Sequence, residues 1–235
     1  MVDHPPADPL AELARLEGVP SAVAAAIDSV DAVLRDRGLR AFGPEVMTST
    51  LLIGARGNAA LTDAPDTWLP GAVRLSAELT TLAAVIRVAP AQALARAHVL
   101  LARGVAPEDQ LGRIRSDPAT AARMAGLTAL LTGARVGSAL VLGAVAHAEL
   151  ATVAPFGSAD GLVARVAEHL VLISSGVDPR GAVPVEAGHA ADPEAYGRGL
   201  AAYRSGSVGG VRGWLVHCAT AVGRGAELLG ASSAG

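Results

Sequence analysis

Apolar positions recur at helical spacing over most of this chain, and proline, glycine and aspartate cut them into segments. Asp8-Pro9 reads as an N-cap followed by proline at the first helical position, opening a short helix that ends at Gly18. Pro20 opens a second helix, with Val23, Ile27, Val30 and Val33/Leu34 on one face and Arg35, Asp36 and Arg37 before Gly38. Gly43-Pro44 opens a third, through Val46, Leu51, Leu52 and Ala55. The prolines and aspartates of Asp63 to Pro70 predict a turn-rich connection. Four more helices are expected over Gly71 to Val88, Ala91 to Arg103, Pro118 to Leu131 and Arg135 to Val153, with a polar loop over Val105 to Pro118.

The segment Arg135 to Val153 is apolar almost all round, the mark of a central, buried helix. Asp160 to Ser175 forms the next helix, closed by Gly176, and the short loop between the two requires antiparallel packing. A Pro/Gly-rich loop runs from Val177 to Asp192, with a short strand expected within 177 to 186. Pro193 then opens a helix to Arg204, and the last helix runs from Val208 to Leu229. No period of 20 to 50 residues and no run of alternating β-branched residues recurs. The fold class is all-α: a multi-helix bundle around an apolar central helix.

Composition supports this. Apolar residues make up 51% and aromatics only 3%, so the core must be built of Ala, Leu and Val on closely spaced helices. The net charge is −3 with both signs scattered, and without a basic stripe nucleic acid is not an expected partner. Mean hydropathy is +0.41. The longest uncharged stretch, Val136 to Ala148, nevertheless falls short of the ~20 residues a bilayer requires, so no membrane association is expected. Residues 1 to 8 lack the pattern of a signal peptide, and the expected compartment is the cytoplasm. Cys218, the single cysteine, reads as a small buried hydrophobe.

Chemistry concentrates where the central helix meets its successor. His147-Ala-Glu-Leu-Ala-Thr-Val-Ala-Pro-Phe-Gly-Ser-Ala-Asp-Gly-Leu-Val-Ala-Arg165 is an apolar helix, a Pro-Phe break, a loop of small residues and a new helix start. A loop running into a helix N-terminus presents backbone N–H groups, a generic anion site. This segment resembles the Fic (Fido) family signature H-P-F-x-[DE]-G-N-G-R-x-x-R. Pro155, Phe156, Gly161 and Arg165 match it without a gap, and His147, Glu149, Leu150 and Val153 match the helix before it. Two weaker echoes accompany the match. Asn58-Ala-Ala-Leu-Thr-Asp63 lies where one class of the family carries an inhibitory S-x-x-x-E-G helix, with Thr62 in place of the glutamate. Ala95 to Gly104 with Leu111-Gly-Arg-Ile-Arg115 is similar to the passage before the family's substrate-docking flap, here shortened by Asp117-Pro118.

The resemblance implies a nucleotidyl or phosphoryl transferase ancestry, and the departures fall on its chemical positions. Ala154 replaces the histidine that acts as general base, and Ser158 replaces the metal-holding acid. Ala159 replaces a loop glycine, Asp160 an asparagine and Leu162 an arginine; Gly157 fills the variable position. Loss of a positioned base alone typically costs ~10²–10⁴ in rate. Asp160 stands where an N-cap belongs and is expected to accept from the N–H of Leu162 or Val163. Arg165 reads either as a phosphate ligand or as the partner of a carboxylate such as Glu149 or Glu168.

His147 reads as a core histidine. His98 and His169 are isolated on helices without metal-ligand spacing, and Trp214, His217 and Cys218 share a packing face. No catalytic residue, metal site or cofactor is therefore expected. Residues 9 to 230 are expected to form a single Fic-like domain between a flexible N-terminus (1 to 8) and a flexible tail (231 to 235). The leading expectation is a Fic-like pseudoenzyme, a binding or regulatory protein with a protein partner. An active transferase with a relocated base and an unrelated all-α interaction protein are the alternatives. Residual nucleotide or anion binding and homo-oligomerisation stay open.

Overall fold

The computed structural model describes residues 9–35, 43–133 and 138–233. They form helices α1 (Pro9–Leu13), α2 (Val19–Arg35), α3 (Pro44–Ala60), α4 (Pro65–Ser76), α5 (Leu79–Ile86) and α6 (Pro90–Ala102). A 3₁₀ turn at Glu108–Gln110 precedes α7 (Pro118–Gly133), α8 (Ala139–Val153), α9 (Asp160–Ser174), α10 (Val185–Ala190), α11 (Pro193–Arg204) and α12 (Val208–Ser233). No strand occurs among the described residues, in keeping with the all-α expectation. No single described helix is long and apolar enough to cross a membrane.

The α8–α9 hairpin forms the centre. Helix α8 is buried on all sides from Ala139 to Ala148, and α9 is buried from Leu162 to Ile173. Ser138 caps α8, its hydroxyl accepting from the Val141 N–H at 3.3 Å. Helix α12 closes one side, where the fully buried Trp214 donates its indole N–H to the Ala144 carbonyl at 2.8 Å.

With so few aromatics the helices must approach closely, and α10 is the extreme case. A Cβ on Gly188 would lie 1.9 Å from the Ala221 carbonyl oxygen of α12. A Cβ on Gly57 of α3 would lie 2.4 Å from the Ala187 Cα. The two glycines let a six-residue helix wedge between α3 and α12. Glu186 on α10 meets His169 on α9 at 3.1 Å, and Asp178 lies 3.8 Å from the same ring. Burial would lower His169, but Glu186 and Asp178 raise it to about 10, so it sits there as an imidazolium. Asp178 also accepts from the Ala182 and Val183 N–H groups, fixing the entry to α10.

Several sequence expectations are corrected. The expected connection at Asp63 to Pro70 is helical from Pro65, because proline suits the first helical turn; Pro70 lies inside the helix, where its ring leaves the Asp66 carbonyl without the usual intrahelical donor. Gly71 to Val88 is two helices bent by 70°. The expected strand within 177 to 186 is absent, and α10 begins at Val185. Helix α1 stops at Leu13, with turns leading to the left-handed Gly18 (φ 81°). Helix α12 continues to Ser233, beyond the expected end at Leu229. The expectations for residues 1 to 8, for Asp36, Arg37 and Gly38, and for Arg135 and Val136 lie outside the described residues.

Candidate functional site

The loop from Ala154 to Ala159 joins the two central helices and is held rigidly. Ala154 ends α8 in the left-handed region (φ 48°), and its N–H donates to the Leu150 carbonyl at 2.9 Å. Ala159 is also left-handed (φ 54°), as is the exposed Gly157 (φ 75°). Two alanines in this conformation are an energetic cost that the surrounding contacts must offset. The Arg115 N–H donates to the Pro155 carbonyl at 2.7 Å, and its guanidinium donates to the Val153 carbonyl at 2.7 Å. The passage expected to precede a docking flap thus lies against the loop itself.

Phe156 is buried and stacks on His98, with ring centroids 4.4 Å apart and planes 9° from parallel. His98 Nδ1 accepts the Gly112 N–H at 2.9 Å, so the neutral ring carries its proton on Nε2, facing Ser158 Oγ at 3.1 Å. Burial lowers the His98 pKa, which keeps that neutral form. The ring donates to Ser158 and has no lone pair free to take a proton from it. Beside Phe156 lies an apolar cavity of about 550 Å³, lined by Leu94, Ile114, Met124 and Thr128 among others and by no charged side chain.

Asp160 does not cap α9. It is the first residue of the helix, and its carboxylate turns back to accept the Phe156 N–H at 2.8 Å. The left-handed Ala159 ahead of it turns the carboxylate toward the loop and away from Leu162 and Val163. Burial raises Asp160 to about 6, against the N–H groups of Phe156 and Gly157 and the Arg115 charge. A raised carboxyl pKa means the folded protein binds the proton more tightly than the unfolded chain. Its ionised form therefore costs stability above pH 6, and the cost fades as pH falls toward 4. Asp160→Asn keeps an acceptor for Phe156 and removes the charge. Solvent screens this part-exposed carboxyl, so the variant should stabilise the protein by about 1–2 kcal/mol at alkaline pH, with the gain vanishing near pH 4. Thermal unfolding of both proteins across this range checks the prediction, and a pH-independent difference contradicts it.

Leu162 and Arg165 both point inward. Leu162 is buried in the main apolar core, and its carbonyl accepts from Asn58 Nδ2 at 3.4 Å. Arg165 is 2% exposed and meets no carboxylate of the described residues within salt-bridge distance, so the alternative of pairing with Glu149 or Glu168 is not realised. Its Nε donates to Asn58 Oδ1 at 2.7 Å, Nη2 to the Asn58 carbonyl at 3.0 Å and Nη1 to the Tyr196 hydroxyl at 3.0 Å. Glu149 is engaged elsewhere, by Arg123 at 2.6 Å and the Tyr203 hydroxyl at 2.9 Å. Asn58, from the segment singled out as the inhibitory-helix echo, is thus the residue that fastens the motif arginine.

Beyond Arg165 lies a buried polar cluster that the sequence reading did not assemble. Glu168 Oε2 faces His147 Nδ1 at 2.6 Å and His189 Nε2 at 3.0 Å. His147 Nε2 continues to the Tyr196 hydroxyl at 3.0 Å, and His189 Nδ1 to His217 Nε2 at 3.2 Å. Cys218 is buried beside them. Burial alone would raise Glu168, yet His189 and His147 hold its carboxyl well below the usual range. Burial lowers His147 to about 4 despite Glu168, so the ring is neutral near pH 7. The pieces are scattered at 147, 168, 189 and 218, and no local spacing announces them.

No family model matches the chain, and no curated protein matches it. Among solved structures, the chain is similar to a Fic family protein from Desulfovibrio desulfuricans G20. The two share 19% identity and a TM-score of 0.66, over 89% of this chain and 74% of that one. The chain therefore has the helical fold of a Fic protein.

Proposed function

We propose that this Fic-fold chain is a pseudoenzyme, a binding or regulatory protein that does not transfer nucleotidyl groups. The observation that carries this reading is the burial of Arg165, each of whose three nitrogens donates to Asn58 or Tyr196. A phosphate cannot reach a guanidinium that is 2% exposed. Three further features support it. Ala154 offers only a methyl group at the general-base position. Asp160 places a carboxylate on the loop N–H of Phe156, which an anion would otherwise use. Leu162 fills core where the family signature places a cation.

An active transferase with a relocated base is the competing reading, and His98 is the imidazole nearest the loop among those described. Its tautomer is set the wrong way for a base, because Gly112 occupies Nδ1 as a donor. The experiment is incubation of the purified chain, and of the chain with a cell extract, with labelled ATP and Mg²⁺ or Mn²⁺. No label should be incorporated, and Ala154→His alone should not restore transfer. Label incorporation that His98→Ala abolishes would establish the competing reading.

A further inference from the structure

We propose that His147, Glu168, His189 and Cys218 form a closed structural site for one zinc ion. The four side chains come from α8, α9, α10 and α12, and their donor atoms all lie within 4.8 Å of one another. Two imidazoles, a carboxylate and a thiol are a zinc donor set, whereas calcium and magnesium take oxygen ligands. Ligands bound at ~2.0–2.3 Å around a tetrahedral ion sit roughly 3.3–3.8 Å apart. The cluster already approximates that sphere. The pairs that must part are His147 Nδ1 and His189 Nε2 from Glu168 Oε2, now at 2.6 Å and 3.0 Å.

The outer contacts fit the same role. A metal-bound imidazole holds its other nitrogen on a second partner, which fixes ring and tautomer. Tyr196 supplies that partner for His147 at 3.0 Å, and His217 supplies it for His189 at 3.2 Å. Donation outward from Nε2–H of His147 and Nδ1–H of His189 leaves both inner nitrogens as lone pairs directed at the cluster. Binding displaces the Cys218 proton to solvent, and thiolate plus carboxylate then balance the dication. Close packing builds the site as well. A Cβ on Gly143 would lie 3.2 Å from Glu168 Cγ, and Gly188, next to His189, sits against the α12 backbone. All four ligands are buried, which leaves no coordination position for a substrate and makes the site structural.

The metal-free alternative is a hydrogen-bonded network in which both histidines donate to Glu168, and one experiment separates the two. The full chain, produced in cobalt-supplemented medium, should carry one metal ion per chain. Its spectrum should show the visible bands of tetrahedral Co²⁺ and a thiolate-to-cobalt charge-transfer band. Cys218→Ser should lose the charge-transfer band, while His98→Gln, away from the cluster, should keep both features. A strong chelator should lower the unfolding midpoint of the zinc-grown parent by several degrees and leave Cys218→Ser unmoved. If the parent holds no stoichiometric metal and shows no charge-transfer band, the proposal is overturned and the network stands alone. Should Cys218→Ser fail to fold, the parent's own cobalt spectrum and metal content decide.

Discussion

Arg165→Met should lower the unfolding midpoint by about 10 °C, a loss of about 3–5 kcal/mol. Methionine has similar length and no donors, so Asn58 Oδ1, the Asn58 carbonyl and the Tyr196 hydroxyl would each lose their arginine bond inside the protein. A buried acceptor left unpaired costs about 1–3 kcal/mol. Arg165→Lys should fall between the two, because lysine keeps the charge but cannot reproduce the planar fork. Thermal denaturation with circular dichroism measures all three proteins. An arginine held ready for a phosphate ligand would behave differently, with its loss changing binding and hardly touching stability. An Arg165→Met midpoint within about 2 °C of the parent contradicts the structural role.

The second large effect is expected at Gly188. In Gly188→Ala the new methyl would sit 1.9 Å from the Ala221 carbonyl oxygen and 3.0 Å from the Gly225 nitrogen. Both are backbone atoms of α12, so no side chain can swing aside, and α10 must back away. Overpacking usually costs 1–3 kcal/mol, and a clash with main chain belongs at or above the upper end, about 3 kcal/mol or more. The displacement would also carry His189 away from Glu168, now 3.0 Å apart. Gly197→Ala is the control, because a Cβ there meets nothing within 4 Å. It should keep or slightly raise the midpoint through the better helix propensity of alanine. Equal behaviour of the two variants would contradict the wedge geometry of α10.

The parts of the fold legible in the sequence were those with strong local punctuation. Asp192-Pro193 marks the start of α11, and the Asp192 carboxylate accepts the Ala195 N–H at 2.9 Å. The all-round apolar run of α8 announced a buried helix, and the short loop after it announced the α8–α9 hairpin. The break between α4 and α5 carries no proline or glycine from Ser76 to Leu79. It is set by packing, since α5 lies against both α6 and α9. Helix α10 was illegible because six residues cannot show a helical period, and its stability comes from tertiary contact. The candidate site divides the same way. The loop residues were visible as a contiguous motif, whereas the direction of Asp160 depends on the backbone sign of Ala159. The cluster around Glu168 depends on four helices meeting, which no spacing along the chain encodes.

In the proposed function, the junction of α8 and α9 is closed to nucleotide by the protein's own side chains. Isothermal titration calorimetry of the full chain with ATP and Mg²⁺ near neutral pH tests it most directly. Arg165 lies 2% exposed with each of its three nitrogens bonded to Asn58 or Tyr196, and the Asp160 carboxylate sits on the Phe156 N–H, so injections up to millimolar ATP should give only heats of dilution. A saturable heat with a micromolar Kd, weakened by Arg165→Lys in a chain that still folds, would contradict the account.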